Sequence, residues 1–227
     1  MAEAYDFKRS LVKAKIRRVD LEQPWEWVMA GWKDLRTTPL ASIAYGLIFT
    51  IMGYNLTALS GADFFSILTL ASGFMLVGPF LAMGLYEMSR RREEGLDNGF
   101  SYAILAWRGK TLQLLTFGVI LGLVMVIWAR VAGVVYALTL AGSGRGYISD
   151  DPATLFFTGD GLAFLIPFFA VGGVIALLVF AASAVSIPMM LDRDTDLATA
   201  VATSMVAVRA NIGPMIIWGV IIVLFTG

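Results

Sequence analysis

Residues 111–140 read TLQLLTFGVILGLVMVIWARVAGVVYALTL, and they contain one charged side chain, that of Arg130. A membrane span needs about 20 apolar residues to cross a hydrocarbon core of about 30 Å. This stretch is therefore long enough and apolar enough to cross a bilayer as one helix. Four further apolar stretches lie at 40–59, 65–88, 162–187 and 213–227. Together the five stretches predict an all-α fold, a polytopic transmembrane helical bundle with five visible spans.

The composition of the whole chain agrees with a membrane protein. Hydrophobic residues make up 58% of the 227 residues, and the mean hydropathy is +0.77. A soluble domain of this size has too little interior to bury so much apolar surface. The 17 acidic residues balance the 17 basic ones, so net charge gives no reason to expect nucleic acid as a partner. The sequence contains no Cys and no His, and we predict no catalytic residue, cofactor site or metal site in it.

The positions of the Lys and Arg residues predict how the spans are oriented. Of the 17 Lys and Arg residues, 15 lie in residues 1–38, 89–110 and 188–212. Short loops rich in Lys and Arg stay on the cytoplasmic side of a membrane, so we expect these three segments and the N-terminus to face the cytoplasm. No secretory signal is visible ahead of residue 40, and we expect the N-terminal segment to be retained. The predicted location is the bacterial inner membrane, and 1–227 is predicted to form a single integral membrane domain.

A short amphipathic segment precedes the first predicted span. Residues 24–35 are too polar to cross a bilayer, and they place four apolar side chains at helical spacing: Trp25, Val28, Trp32 and Leu35. Tryptophan side chains of interfacial helices prefer headgroup depth. We therefore interpret this segment as a helix that anchors the chain in the membrane interface. A docking surface for a partner is the alternative.

The same arrangement, an amphipathic segment followed by an apolar hairpin, occurs more than once. Residues 32–39 precede the first two spans, residues 100–108 precede the next two, and residues 197–212 precede the fifth. The 15 residues of 213–227 extend only about 22 Å at about 1.5 Å per residue, which is less than a bilayer needs. We expect that the natural protein continues and closes the third hairpin with a sixth span.

Two charged side chains near the spans are candidate sites, because charge inside a membrane is costly. Arg130 lies about 28 Å along its predicted span, where it could snorkel to the outer headgroups beneath Trp128. Binding of an anion or lipid headgroup and an ion pair with a partner subunit are the alternatives. Glu87 lies at an inner helix end, where we expect a solvated pair with Arg90 or Arg91 at the i+3 and i+4 positions.

Small residues in the spans are candidates for close helix contact. Gly118 and Gly122 match the GxxxG pattern, which lets two helix backbones approach one another. Packing within the chain is the simplest interpretation. Contact with helices of another protein is the alternative.

Several short motifs carry a resemblance to a known family. They are Arg17-Arg18-Val19, Pro24-Trp25, Gly31-Trp32, Asp34-Leu35, Pro39, Ala44-Tyr45-Gly46-Leu47, Val77-Gly78-Pro79-Phe80 and Arg209-Ala210-Asn211 before Pro214. In these motifs the chain resembles the bacterial integral membrane family known as domain of unknown function 2189. The resemblance implies six helices, a proteobacterial inner membrane and a sixth span that ends in a His-containing segment. The motifs are structural and indicate no particular chemistry.

The sequence favours a non-catalytic accessory subunit or assembly scaffold over other functions. Small-residue faces, short loops and an interfacial Trp anchor suit a protein that packs against other integral membrane subunits and membrane lipids, for which a respiratory or photosynthetic complex is one host. The alternative is a transporter or channel for a lipidic or small apolar substrate, with a cavity near Pro79 and Pro188. A membrane enzyme ranks third, because few acids, bases or ligands are available.

Overall fold

The computed structural model describes residues 16–59, 64–97, 99–106, 111–140 and 156–226, and every regular element in these residues is a helix. The helices are α1 (Gln23–Thr37), α2 (Pro39–Leu59), α3 (Phe64–Leu81), α4 (Met83–Glu93), α5 (Phe100–Ile104), α6 (Thr111–Thr139), α7 (Gly159–Ser183), α8 (Ser186–Asp192), α9 (Leu197–Ala210) and α10 (Ile212–Thr226). This order confirms the predicted all-α fold.

Four segments are long enough and apolar enough to cross a bilayer. They are Pro39–Leu56, Phe64–Glu93, Leu112–Thr139 and Gly159–Asp192. A fifth candidate is bent, because α9 and α10 meet at 103° and α10 alone has 15 residues. The chain is therefore a multi-pass integral membrane protein, with four candidate spans in the described residues, or five if the bent pair counts as one.

Two of the predicted spans are interrupted in the structure. The predicted span 65–88 is divided into α3 and α4 at Ala82, and the predicted span 162–187 is divided into α7 and α8 at Ala184 and Val185. Pro79 lies in the last turn of α3 and has no N–H to donate, which weakens the helix just before its end. In both places a short helix continues the chain beyond the break.

Local sequence sets several helix ends. Pro24 lies in the first turn of α1, and Pro39 begins α2, positions where the missing N–H costs nothing. The side chain of Asp196 accepts a hydrogen bond from the N–H of Thr199 at 2.9 Å and caps α9. Gly95, at φ 69°, ends α4 in a Schellman motif, in which the N–H of Gly95 and that of the next residue bond back to the last helical turn.

The described residues divide into two compact units. The first unit contains the residues up to Gly46, those from Pro79 to Phe117 and those from Phe180 onward, and the second contains Leu47–Gly78 and Gly118–Val179. In the first unit α5 packs on α4, α9 packs on α8, and α1 packs on α10. Each amphipathic helix therefore contacts a helix of another predicted repeat, and the third repeat contacts the first.

The second unit is built around the indole ring of Trp128, which is 2% exposed. Its ring lies 4.9 Å from that of Phe168, and its Nε1–H donates a hydrogen bond to the hydroxyl of Ser72 at 2.9 Å. Gly73 and Gly172 leave the space that the ring occupies, since a Cβ built on Gly172 would lie 2.7 Å from it. The hydrogen bond to Ser72 satisfies the one polar atom of the indole inside an apolar core.

Candidate functional site

A cluster of charged side chains surrounds Glu87 on α4. The guanidinium of Arg90 donates two hydrogen bonds to the Glu87 carboxylate, at 2.9 and 3.0 Å, and Arg91 lies 3.7 Å from the same group. The predicted i+3 and i+4 pairs are thereby confirmed. The expected solvation is wrong, since Glu87 is only 9% exposed. Tyr102 and Leu191 line a hollow of about 220 Å³ beside the carboxylate.

A second ion pair connects α4 to α1. The guanidinium of Arg92 pairs with the carboxylate of Asp34, and the hydroxyl of Ser89 donates a hydrogen bond to the same carboxylate at 2.5 Å. Arg91 makes the connection to α5, because its guanidinium stacks 3.8 Å from the centre of the Tyr102 ring. Arg90 and Arg91 thus share the Glu87 carboxylate, and Arg92 pairs with Asp34. Arg91 and Arg92 connect α4 to α5 and α1, so the three arginines are not a free basic patch.

Side-chain hydroxyls bridge both helix breaks. Tyr45 donates a hydrogen bond to the carbonyl of Leu81 and accepts one from the N–H of Gly84. Ser204 donates a hydrogen bond to the carbonyl of Ala181 at 2.7 Å and accepts one from the N–H of Val185 at 3.0 Å. In each case the hydroxyl supplies the donor and acceptor that an unbroken helix would have provided.

The amide side chain of Asn211 connects the junction of α9 and α10 to the segment ahead of α1. It donates a hydrogen bond to the carbonyl of Arg17 at 3.0 Å and accepts one from the N–H of Val19 at 2.9 Å. The residues Arg17-Arg18-Val19 and Asn211, which belong to separate motifs in the sequence, therefore lie together. Their role in the structure is to fix the N-terminal segment against this junction.

Helix α1 has one exposed side and one side that contacts the rest of the protein. Trp25 and Trp32 are 57% and 48% exposed, and Met29 lies exposed between them. Trp27 lies on the other face, with its ring 5.4 Å from that of Trp218. The spacing argument found Trp25 and Trp32 but missed the inward role of Trp27, because spacing alone does not indicate which face meets the protein.

The candidate residues of α6 lie away from its buried face. Arg130 is exposed, and Gly118 and Gly122 are half-buried. In the part of the chain that the structure describes, no atom outside the backbone of α6 lies within 4 Å of a Cβ built on Gly122. Trp128 does not lie above Arg130 at an interface, as the sequence suggested, because it points into the core. Among the described glycines, a Cβ built on Gly73, Gly84, Gly172 or Gly213 would lie within about 3.1 Å of another residue, and the GxxxG pattern indicates none of these four.

The described residues contain no group of three or more His, Cys, Asp or Glu side chains that could hold a metal ion. One hollow in the described residues lies on α1 and another lies beside Glu87, and neither is lined by Pro79 or Pro188.

Comparison with known proteins identifies the family. The family described as predicted integral membrane protein, domain of unknown function 2189, matches residues 67–192, more than half of the 227 residues. Neither the curated proteins nor the solved structures gave a match. The matched residues include the Glu87 cluster, both bridged helix breaks and all of α6. The chain therefore belongs to this family of integral membrane proteins.

Proposed function

We propose that the protein is a non-catalytic membrane subunit or assembly scaffold that binds another integral membrane protein through the exposed face of α6. The observation that carries the proposal is the uncovered small-residue surface of this helix. Apart from the backbone of α6 itself, no atom of the described residues lies within 4 Å of a Cβ position on Gly122 or Gly133. Small residues in membrane helices allow a second backbone to approach, and that contact is what drives helix association in lipid.

The two sides of α6 differ sharply in burial. Leu121, Trp128 and Ala132 are at most 2% exposed, whereas Val126 and Val134 are 57% and 58% exposed. Gly122 and Gly133 are about 16 Å apart at about 1.5 Å per residue, so the bare surface extends over three turns. This is enough length for a helix of a partner protein to pack against.

Arg130 adds a polar contact to the same surface. It is exposed and is the one charged residue between 111 and 140. An arginine on a membrane helix is costly unless it meets an anionic group or reaches the headgroups. A partner helix with a carboxylate at this level would supply the charge, and it would also fix the register of the two helices.

Helix α2 also exposes surface on which a partner helix could pack. In Pro39–Leu56 none of the residues is buried.

We propose that the N-terminus is cytoplasmic and that the membrane is the bacterial inner membrane, as the distribution of Lys and Arg supports. Respiratory and photosynthetic complexes are the hosts to examine first, because they are the large multi-subunit assemblies of that membrane.

A substitution of Gly122 tests the proposal. Because no other described side chain lies within 4 Å of its Cβ position, Gly122→Leu should leave the chain folded while blocking the approach of a partner helix. We expect a partner that copurifies with the unmodified protein in mild detergent to be lost at least tenfold. Gly173→Leu is the matched control, since it is an equally uncovered glycine on α7. Equal retention of the partner by both variants would contradict the assignment to α6.

A further inference from the structure

The outward face of α1 combines apolar and basic side chains in a particular order. Trp25, Met29 and Trp32 are 57%, 65% and 48% exposed, and their spacing of four and three residues places them on one side of the helix. Pro24 is buried and Trp27 packs on Trp218, so the opposite face holds the helix to the protein. The exposed stripe is therefore presented outward by a fixed helix.

The C-terminal end of the same face is basic. The Cζ atom of Arg36 lies 4.9 Å from the centre of the Trp32 ring. Lys33, which follows Trp32 in the sequence, is a second exposed cation. Among the ion pairs of the described residues, none involves Lys33 or Arg36, whereas Arg90 and Arg92 are both paired with carboxylates. Stacking holds the guanidinium by its face and leaves its N–H groups at the edge able to donate.

Side chains on the outward side of α1 border a shallow, open hollow. It is lined entirely by residues of α1: Met29, Ala30, Trp32, Lys33, Arg36 and Thr37. One side of the hollow is basic, and the other is apolar. A ligand that suits it carries a negative group next to a hydrocarbon chain.

The position of the hollow along the chain indicates the depth of the ligand. Helix α1 ends at Thr37 and the apolar helix α2 begins at Pro39, so the basic residues lie within two turns of the start of a span. Tryptophan, lysine and arginine at such a junction lie at headgroup level. The phosphates of the adjacent leaflet are at that level too.

We propose that this hollow is a binding site for an anionic phospholipid. Lys33 and Arg36 hold the phosphate, and the first segments of the acyl chains lie against Trp32 and Met29. A zwitterionic lipid carries a positive choline that the two cations disfavour, so the site selects for net negative headgroups. The proposal is independent of the proposed function, because it requires no protein partner.

The test is native mass spectrometry of the full chain in mild detergent, with phosphatidylglycerol or phosphatidylcholine added in separate titrations. The unmodified protein should bind phosphatidylglycerol at least tenfold more tightly than phosphatidylcholine. Each basic residue near an anionic lipid surface is worth about 1 kcal/mol, so Lys33→Gln combined with Arg36→Gln should weaken phosphatidylglycerol binding about 30-fold. Equal binding of the two lipids by the unmodified protein would overturn the proposal.

Three controls separate the site from general charge effects and from loss of fold. Combining Lys33→Arg with Arg36→Lys keeps both charges and should retain lipid selectivity. Combining Arg193→Gln with Arg209→Gln removes two exposed cations elsewhere and should leave phosphatidylglycerol affinity unchanged. An equal loss with that pair would overturn the proposal, and so would displacement of the lipid by equimolar inorganic phosphate, which would assign the site to free phosphate.

Discussion

At the scale of single residues, the packing of Trp128 explains why glycine occupies positions 73 and 172 in the second unit. Trp128 needs the space that Gly73 and Gly172 leave empty, and its indole N–H needs the hydroxyl of Ser72. A buried ring of this size makes many contacts that a small displacement weakens. The neighbouring Gly173 faces open space and carries no such constraint.

Replacing Gly172 with Ala should destabilise the protein, and replacing Gly173 with Ala should not. The new Cβ at Gly172 would lie 2.7 Å from the indole ring, which is held on other sides and cannot yield freely. Overpacking of this kind costs about 1–3 kcal/mol, so the midpoint of thermal unfolding in detergent should fall clearly. Equal midpoints for the two variants would contradict the packing described for Trp128.

Removing the charge of Glu87 should cost more than removing that of Glu94. Glu87→Gln leaves Arg90 and Arg91 without their shared carboxylate at a site that is 9% exposed, which costs about 1–3 kcal/mol. Glu94 also pairs with Arg90 at 2.8 Å, but its side chain is 42% exposed, and surface pairs contribute about 0–1 kcal/mol. The same thermal unfolding assay compares the two. A larger loss with Glu94→Gln would contradict the account of the cluster.

The side-chain contacts that the sequence predicted are those between residues close together in the sequence. The pairing of Glu87 with Arg90 follows from one turn of helix, so spacing alone reveals it. The bond from Asn211 to Arg17 joins residues 194 positions apart, and no spacing rule indicates it. The partners of Asp34 were missed for the same reason.

At the scale of the helices, the two breaks are the most specific feature of the chain. Each of the first two predicted hairpins ends in a short helix, and a hydroxyl from another helix bridges the break. Hydropathy predicted the apolar length of both segments but not the interruptions. The hydroxyls of Ser204 and Tyr45 bridge the breaks from positions 19 or more residues away in the sequence.

Removing the Ser204 hydroxyl should destabilise the junction of α7 and α8. Ser204→Ala leaves the carbonyl of Ala181 and the N–H of Val185 without their bridge in a fully buried position. The expected cost is about 1–3 kcal/mol. Thr116→Ala is the control, since it removes an exposed hydroxyl that bonds to the preceding turn of its own helix. The increase in amide hydrogen exchange at 181–190 should be confined to the Ser204 variant, and its absence would contradict the bridge.

The cap of α9 should make part of the stability depend on pH. Hydrogen bonds from the side chain and the backbone N–H of Thr199 hold the pKa of Asp196 below its ordinary value. A depressed pKa in the folded state stabilises the protein above the unfolded pKa of about 3.9, and this stability is lost as the pH falls through the folded pKa.

Asp196→Ala should therefore lower stability at pH 7 by about 1 kcal/mol, the usual cost of losing such a cap. The difference from the unmodified protein should shrink as the pH is lowered below about 4. Thermal unfolding of both proteins at pH 7 and pH 3 measures it. A difference that is the same at both pH values would mean that the ionised carboxylate does not make the cap.

For the whole molecule, hydrophobic patterning predicted the multi-pass helical fold and the order of amphipathic and apolar segments. It did so because the bilayer fixes the length and composition of a span. Patterning could not predict that α1 contacts α10, since that contact depends on packing between separate repeats. Nor could it indicate that Gly122 is uncovered while Gly172 is packed, because both occur in similar small-residue runs.

The most direct test of the proposed subunit role is mass spectrometry of the intact native protein, purified in mild detergent from its own membrane without crosslinking. The account predicts a stoichiometric integral membrane partner, which is lost when Gly122 is replaced by Leu and kept when Gly173 is replaced by Leu. A lone protein or a homo-oligomer that carries only lipid would contradict the account, and it would favour transport of a lipidic substrate instead.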